Sequence, residues 1–155
     1  MNKINISFTG EFLNSIDSKN RINIPAKHRN SLDPSNDRSF IITKGFDQCL
    51  CIYPINEWRL VENQLMQLSS IRIKHRNFVR SILRHASHVK YDGQGRITIP
   101  DRLIEYAQID KNILIIGMIN KIEVWNPHIL EKHDAIKKHE ITQSDFEDLA
   151  NEIDF

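Results

Sequence analysis

Asp17 and Arg21, and again Asp92 and Arg96, are carboxylate–guanidinium pairs four residues apart. At that spacing a carboxylate can hold the arginine by a charge-assisted hydrogen bond while the remaining guanidinium N–H groups stay available. Cations held this way can replace counterions along phosphates and donate to base edges in a groove of DNA. Lys19 lies in the first turn and Gln94 in the second, and Lys27, His28 and Arg29 follow the first pair. In the second copy Asp101, Arg102 and Glu105 occupy the matching segment. The candidate DNA-binding residues are therefore Lys19, Arg21, Lys27, Arg29, Gln94 and Arg96, with copy one expected to carry more of the affinity. Asp17 and Asp92 repel phosphate, so their expected role is to organise the turns, helped by Asn20 and Gly95, which tolerate positive φ. The plainer alternative is that both pairs only staple turns.

Other chemistries find less support. His85 and His88 are three apart, with no neighbouring Cys or carboxylate to complete a ligand set. Cys49 and Cys51 are too few for a disulfide framework, and a C-x-C in a strand turns both sulfurs to one face. Neither a metal nor a cofactor is expected. G-x-S-x-G and H-E-x-x-H do not occur, and the G-x-G of Gly93–Gly95 lacks a third glycine and a following nucleotide-binding helix. The chain is expected not to be an enzyme.

The elements that must position these pairs come from an internal repeat. Asp17-Ser18-Lys19-Asn20-Arg21-Ile22-Asn23-Ile24-Pro25 recurs as Asp92-Gly93-Gln94-Gly95-Arg96-Ile97-Thr98-Ile99-Pro100, and Leu50-Cys51-Ile52-Tyr53 is answered by Ile122-Glu123-Val124-Trp125. Strands are predicted over Phe8–Ile16 and His88–Tyr91, each entering a turn. The alternating Arg21–Ile24 and Arg96–Ile99 follow as half-buried strands. Prolines then open short helices over Pro25–Leu32 and Pro100–Ala107. Further strands are predicted at Ser39–Thr43, Cys49–Tyr53, Ile113–Met118 and Ile122–Trp125. Helical spacing places Trp58, Val61, Leu65 and Leu68 on one face, and Ile129, Leu130 and Ile136 on another. A helix over Ile73–Ala86 is expected to turn Phe78, Val79, Ile82 and Leu83 inward. The resulting organisation is a first repeat at 11–57, linking helices at 58–85, a second repeat at 86–129, and a C-terminal helical region with an acidic tail at 130–155.

The 155 residues hold 21 Lys+Arg and 20 Asp+Glu, a balance that would argue against nucleic acid. Its distribution reverses that reading. Six acids and no Lys or Arg lie between Glu140 and Phe155, so residues 1–139 carry a net +7. No acid occurs from Asn63 to Tyr91, where Arg72, Arg76, Arg80 and Arg84 form an i, i+4 stripe. That stripe suits a solvated face, a subunit contact or an auxiliary phosphate track. The longest apolar run, Ile113–Ile119, is far short of the roughly 20 residues that span a bilayer, and Met1–Ser7 has no signal-type apolar core. A cytoplasmic location is expected.

Phe8-Thr9-Gly10-Glu11-Phe12, the two D-x-x-x-R-I-x-I-P motifs, and Tyr53-Pro54 with Glu57-Trp58 together resemble the MraZ family. The likeness runs from about Phe8 to Trp125, with Asn20 where the first motif usually has Gly. It implies an all-β fold with added helices: two SpoVT-AbrB-like repeats forming a swapped-hairpin, double-split β-barrel. It also implies a nucleoid-associated transcriptional regulator that assembles as a ring-like homo-oligomer. The implied partner is double-stranded promoter DNA with repeated boxes upstream of the division and cell wall gene cluster. Neither a membrane nor a small-molecule substrate is expected as partner. The rival reading is a ring-forming structural or antitoxin-like interaction module, for which Phe146, Leu149, Ile153 and Phe155 in the acidic tail could contact a partner.

Overall fold

A computed structural model describes residues 6–153. The first repeat supplies strands β1 (Glu11–Ser15) and β2 (Arg21–Asn23), helix α1 (Ala26–Asn30), and strands β3 (Ser39–Lys44) and β4 (Leu50–Pro54). Helices α2 (Ile55–Leu65) and α3 (Ile73–Leu83) lead to the second: β5 (Ser87–Lys90), β6 (Arg96–Thr98), α4 (Asp101–Ala107), β7 (Asn112–Gly117) and β8 (Ile122–Trp125). Helices α5 (Pro127–Glu140) and α6 (Gln143–Glu152) follow.

The strands form a six-stranded antiparallel sheet in the order β1-β7-β8-β4-β3-β5 and a two-stranded ribbon, β2-β6. Each repeat lends its first strand to the other: β1 pairs with β7, and β5 with β3. At the centre Leu50 opposes Val124, Cys51 opposes Glu123 and Ile52 opposes Ile122. Equivalent positions of the two repeats thus meet at Cys51 and Glu123, which places a local pseudo-two-fold there. Among the described residues the sheet is open, with β1 and β5 at its edges. The expected β fold with added helices is present, as an open sheet, a separate ribbon and six α-helices, and these strands do not themselves close into a barrel.

The I-x-I pattern explains how the ribbon is anchored. Ile22, Ile24, Ile97 and Ile99 are buried and join Phe8, Phe40, Ile42, Leu50, Ile52, Ile113, Ile115 and Ile122 in one core. Burying each such side chain contributes roughly 1.5–3 kcal/mol, enough to fix which face of a short strand turns inward. The chain N-terminal to β1 crosses close over Gly117, where an added Cβ would lie 2.4 Å from the Thr9 nitrogen.

Several elements differ from the sequence pattern. The first strand begins at Glu11 because Gly10, at φ +91°, breaks the extended run, leaving Phe8 in an isolated bridge to Ile119. On α3 Val79 and Ile82 are half-buried, but Phe78 and Leu83 are 40% and 43% exposed rather than inward. The Phe78 ring stacks on exposed Phe46 at 6.3 Å, and α3 meets the sheet through the Thr43 hydroxyl donating to the Ile82 carbonyl. On α2, Trp58 is buried against Tyr53, while Leu68 lies in the turn beyond the helix. On α5, Ile129, Leu130 and His133 are half-buried and Ile136 is exposed. A Thr142–Asp145 capping box starts α6, and Phe146 and Leu149 on it and Ile153 just beyond it are exposed. Phe155 lies outside the described residues.

Candidate nucleic-acid interface

The two D-x-x-x-R segments fold alike, residue for residue. Asp17 Oδ1 accepts from the backbone N–H groups of Lys19 and Arg21, and its Oδ2 accepts from Arg21 Nε at 2.7 Å. Asp92 Oδ1 accepts from the N–H groups of Gln94 and Arg96, and its Oδ2 from Arg96 Nε at 2.9 Å. In each turn the fourth residue donates its N–H to the first carbonyl, Asn20 to Asp17 and Gly95 to Asp92. Asn20 and Gly95 adopt φ of 60° and 80°, as the sequence led us to expect. The Arg21 backbone N–H foremost holds the Asp17 carboxyl below the usual carboxylate range, and the Arg96 N–H does the same for Asp92. Each arginine is bound through Nε, so its aim is set by the turn.

Strand pairing brings the turns together. Arg21 opposes Thr98, Ile22 opposes Ile97 and Asn23 opposes Arg96. Since the isoleucines point inward, Arg21, Asn23, Arg96 and Thr98 share the outer face of the ribbon. Asn23 and Thr98 were not among the residues singled out from sequence, although alternation places each two positions from an arginine. The Asn23 amide donates to the Gln94 carbonyl at 2.8 Å, tying the face to the second turn.

The helices after each ribbon strand cross to the other repeat's turn. Arg29 donates from Nε to the Ile24 carbonyl and packs against Gly95, where a Cβ would fall 2.4 Å from its guanidinium carbon. Asp101 accepts from the Asn20 amide at 2.9 Å, so this carboxylate stands beside the first turn. Lys27 is exposed, with Nζ 3.3 Å from Thr9 Oγ1. His28 is buried between Phe8 and Phe12, and burial foremost pushes its pKa down, so it adds no surface charge near neutral pH. The basic excess read into copy one is thus redistributed: an arginine of copy one serves the second turn, and an aspartate of copy two serves the first.

Other sequence candidates lie elsewhere. Among the described residues, the group of side chains placed to hold a metal is Cys49, Cys51 and Glu123, without His85 or His88. No helix among them is long and apolar enough to cross a membrane.

Two tandem units that exchange strands and set twin Asp-x-x-x-Arg turns side by side define a two-repeat, mostly β class of protein. Residues 7–81 and 82–152 each match the family model for MraZ protein. The chain belongs to the MraZ family. It is 42% identical over 149 residues to a protein of Pediococcus pentosaceus, covering 96% of this chain and 98% of the other. A relative from Natranaerobius thermophilus is 40% identical over 146 residues, covering 94% and 96%. One from Clostridium acetobutylicum is 44% identical over 119 residues, covering 77% and 81%. All three carry the name Transcriptional regulator MraZ.

Proposed function

We propose that this chain is a DNA-binding transcriptional regulator that reads promoter boxes with the outer face of the β2-β6 ribbon. One observation carries the reading: Arg21 and Arg96, each aimed by its own aspartate, share that face with Asn23 and Thr98. A major groove about 12 Å wide admits a two-stranded ribbon, and an arginine pairs with guanine through two parallel donors. Lys19, Lys27 and Gln94 flank the face and suit phosphate contacts, whereas Arg29 acts mainly by bracing the second turn. The names of the relatives support a regulatory role, and the family resemblance supports a swapped-hairpin frame and boxes upstream of the division and cell wall cluster.

One ribbon offers few contacts, so affinity is to come from several subunits on repeated boxes, through effective concentration. A ring-like homo-oligomer suits this, and exposed apolar side chains are available for subunit contacts: Leu13 on edge strand β1, Phe46 and Phe78, and Phe146 and Leu149 on α6 with Ile153 at its end. The exposed, acidic and apolar α6 also favours a second reading, an interaction module that binds protein through its tail. A footprint upstream of the protein's own gene, with the native mass of the free assembly, tests both. Protection of repeated boxes supports the regulator; an assembled particle without protection supports the module.

A further inference from the structure

The centre of the sheet carries a second constellation, distant in sequence from the turns. Cys49, Cys51 and Glu123 each offer a ligand atom, and these atoms lie within 4.8 Å of one another. Their placement follows from the fold. Cys51 and Glu123 are directly opposed on β4 and β8, and Cys49, two residues before Cys51, falls on the same face.

The surroundings are shaped for the group. Gly45 leaves space that a side chain would take, since a Cβ there would lie 2.7 Å from the Cys49 sulfur and 3.3 Å from that of Cys51. The Trp125 indole N–H donates to Glu123 Oε1 at 3.0 Å, an outer hydrogen bond that orients the carboxylate. Trp125 is itself buried and packs on the His133 ring, whose Nε2 is 3.4 Å from Asp47 Oδ1. Both cysteines are buried and free. The two thiols hydrogen-bond to each other, and Lys121 lies close enough to Cys51 to act on it electrostatically.

We propose that Cys49, Cys51 and Glu123 form a binding site for a borderline-soft divalent cation of the zinc class. Two thiolates and a carboxylate are a zinc-type donor set, and ligand atoms around a tetrahedral zinc lie about 3.7 Å apart, so the separations here, all within 4.8 Å, need to contract by at most about 1 Å. Three anionic ligands around a divalent ion leave one negative charge, which Lys121 balances. Water completes the coordination. Burial suits a retained, structural ion that pins the two repeats together at their pseudo-two-fold.

The test uses the full-length reduced protein titrated with Zn²⁺ against a chromophoric chelator, and with Co²⁺ to read the thiolate-to-metal charge-transfer band in the near ultraviolet. The expected result is about one equivalent per chain, with that band present and thermal stability raised by zinc. Cys49→Ser and Cys51→Ser should each weaken the band, the double variant should abolish it and weaken binding by roughly 100-fold or more, and Glu123→Gln should weaken binding by roughly tenfold. Circular dichroism and native mass keep the variants comparable, and Glu123→Gln, half-exposed, serves if a buried serine disturbs folding. Binding without the charge-transfer band, or binding unchanged in the Cys49→Ser/Cys51→Ser double variant, assigns the metal to surface histidines and overturns the proposal. So does the absence of binding in the reduced protein.

Discussion

Ile22 and Ile97 face each other at the midpoint of the β2-β6 ribbon, both 1% exposed, and so turn Arg21 and Arg96 outward from opposite strands. The arginines are diagonal neighbours across the pair, each beside the other repeat's polar residue. Neither can be moved without disturbing a turn that the other repeat helps to hold, through Ile24 N–H to the Gly95 carbonyl and Ile99 N–H to the Asn20 carbonyl.

Arg21→Ala and Arg96→Ala should weaken promoter binding by comparable amounts, each by roughly 5- to 150-fold, the range for a lost base-contacting arginine. The comparability follows from Arg29 serving the second turn and Asp101 the first. A gel shift in which one variant loses more than about ten times as much as the other would restore the asymmetry suggested by the chain order alone.

Asp101→Asn should strengthen DNA binding, because it removes a carboxylate beside the first turn while keeping an acceptor for the Asn20 amide. Lys19→Ala should weaken binding on all sequences alike and lower the slope of log affinity against log salt by about 1. Titrations at several salt concentrations measure both. An unchanged slope removes Lys19 from the phosphate contacts.

His28 should make the fold sensitive to mild acid. Its ring is buried edge-on to Phe8 and Phe12, its Nε2 has no hydrogen-bond partner, and burial then the charge of Lys27 hold its pKa below the ordinary value of about 6.5. As pH falls through about 6.5 the unfolded chain takes up the proton first, so stability declines from there until the folded-state pKa is reached. Above about pH 7.5 there is no effect. His28→Leu should shrink the fall in Tm between pH 7.5 and 5.5; an equal fall in both proteins would place the sensitivity elsewhere, with His85 the next group to test.

Removing residues 142–155 deletes α6 and most of the acidic excess. If α6 makes subunit contacts through Phe146, Leu149 and Ile153, native mass should fall and DNA affinity with it. An unchanged mass with tighter DNA binding would instead show the tail to be an electrostatic brake.

The turns were legible in the sequence because their chemistry is local. Asp at the first position, a residue tolerant of positive φ at the fourth, and I-x-I behind them suffice to define each one, and the structure repeats them bond for bond. The strand exchange was not legible, since a pattern of alternation does not say which partner a strand chooses. That choice moved Arg29 and Asp101 to opposite turns, set Glu123 beside Cys51, and made Asn23 and Thr98 neighbours of the arginines. His28 misled for a related reason: a basic residue between Lys27 and Arg29 suggests surface charge, whereas the one-turn helix carrying it points that ring at Phe8 and Phe12. On α3, helical spacing identified an apolar face without showing how little of the molecule lies beneath it.

The fused repeats have one further consequence. Two identical chains pairing through such a ribbon would present the same residues on both sides and would read a palindrome. Here one half shows Arg21 with Asn23 and the other Arg96 with Thr98, so turning the face by 180° does not reproduce it. If the ribbon reads DNA as proposed, a box matched to this face would have a polarity along the duplex, and successive boxes bound by subunits facing the same way would all run in one direction.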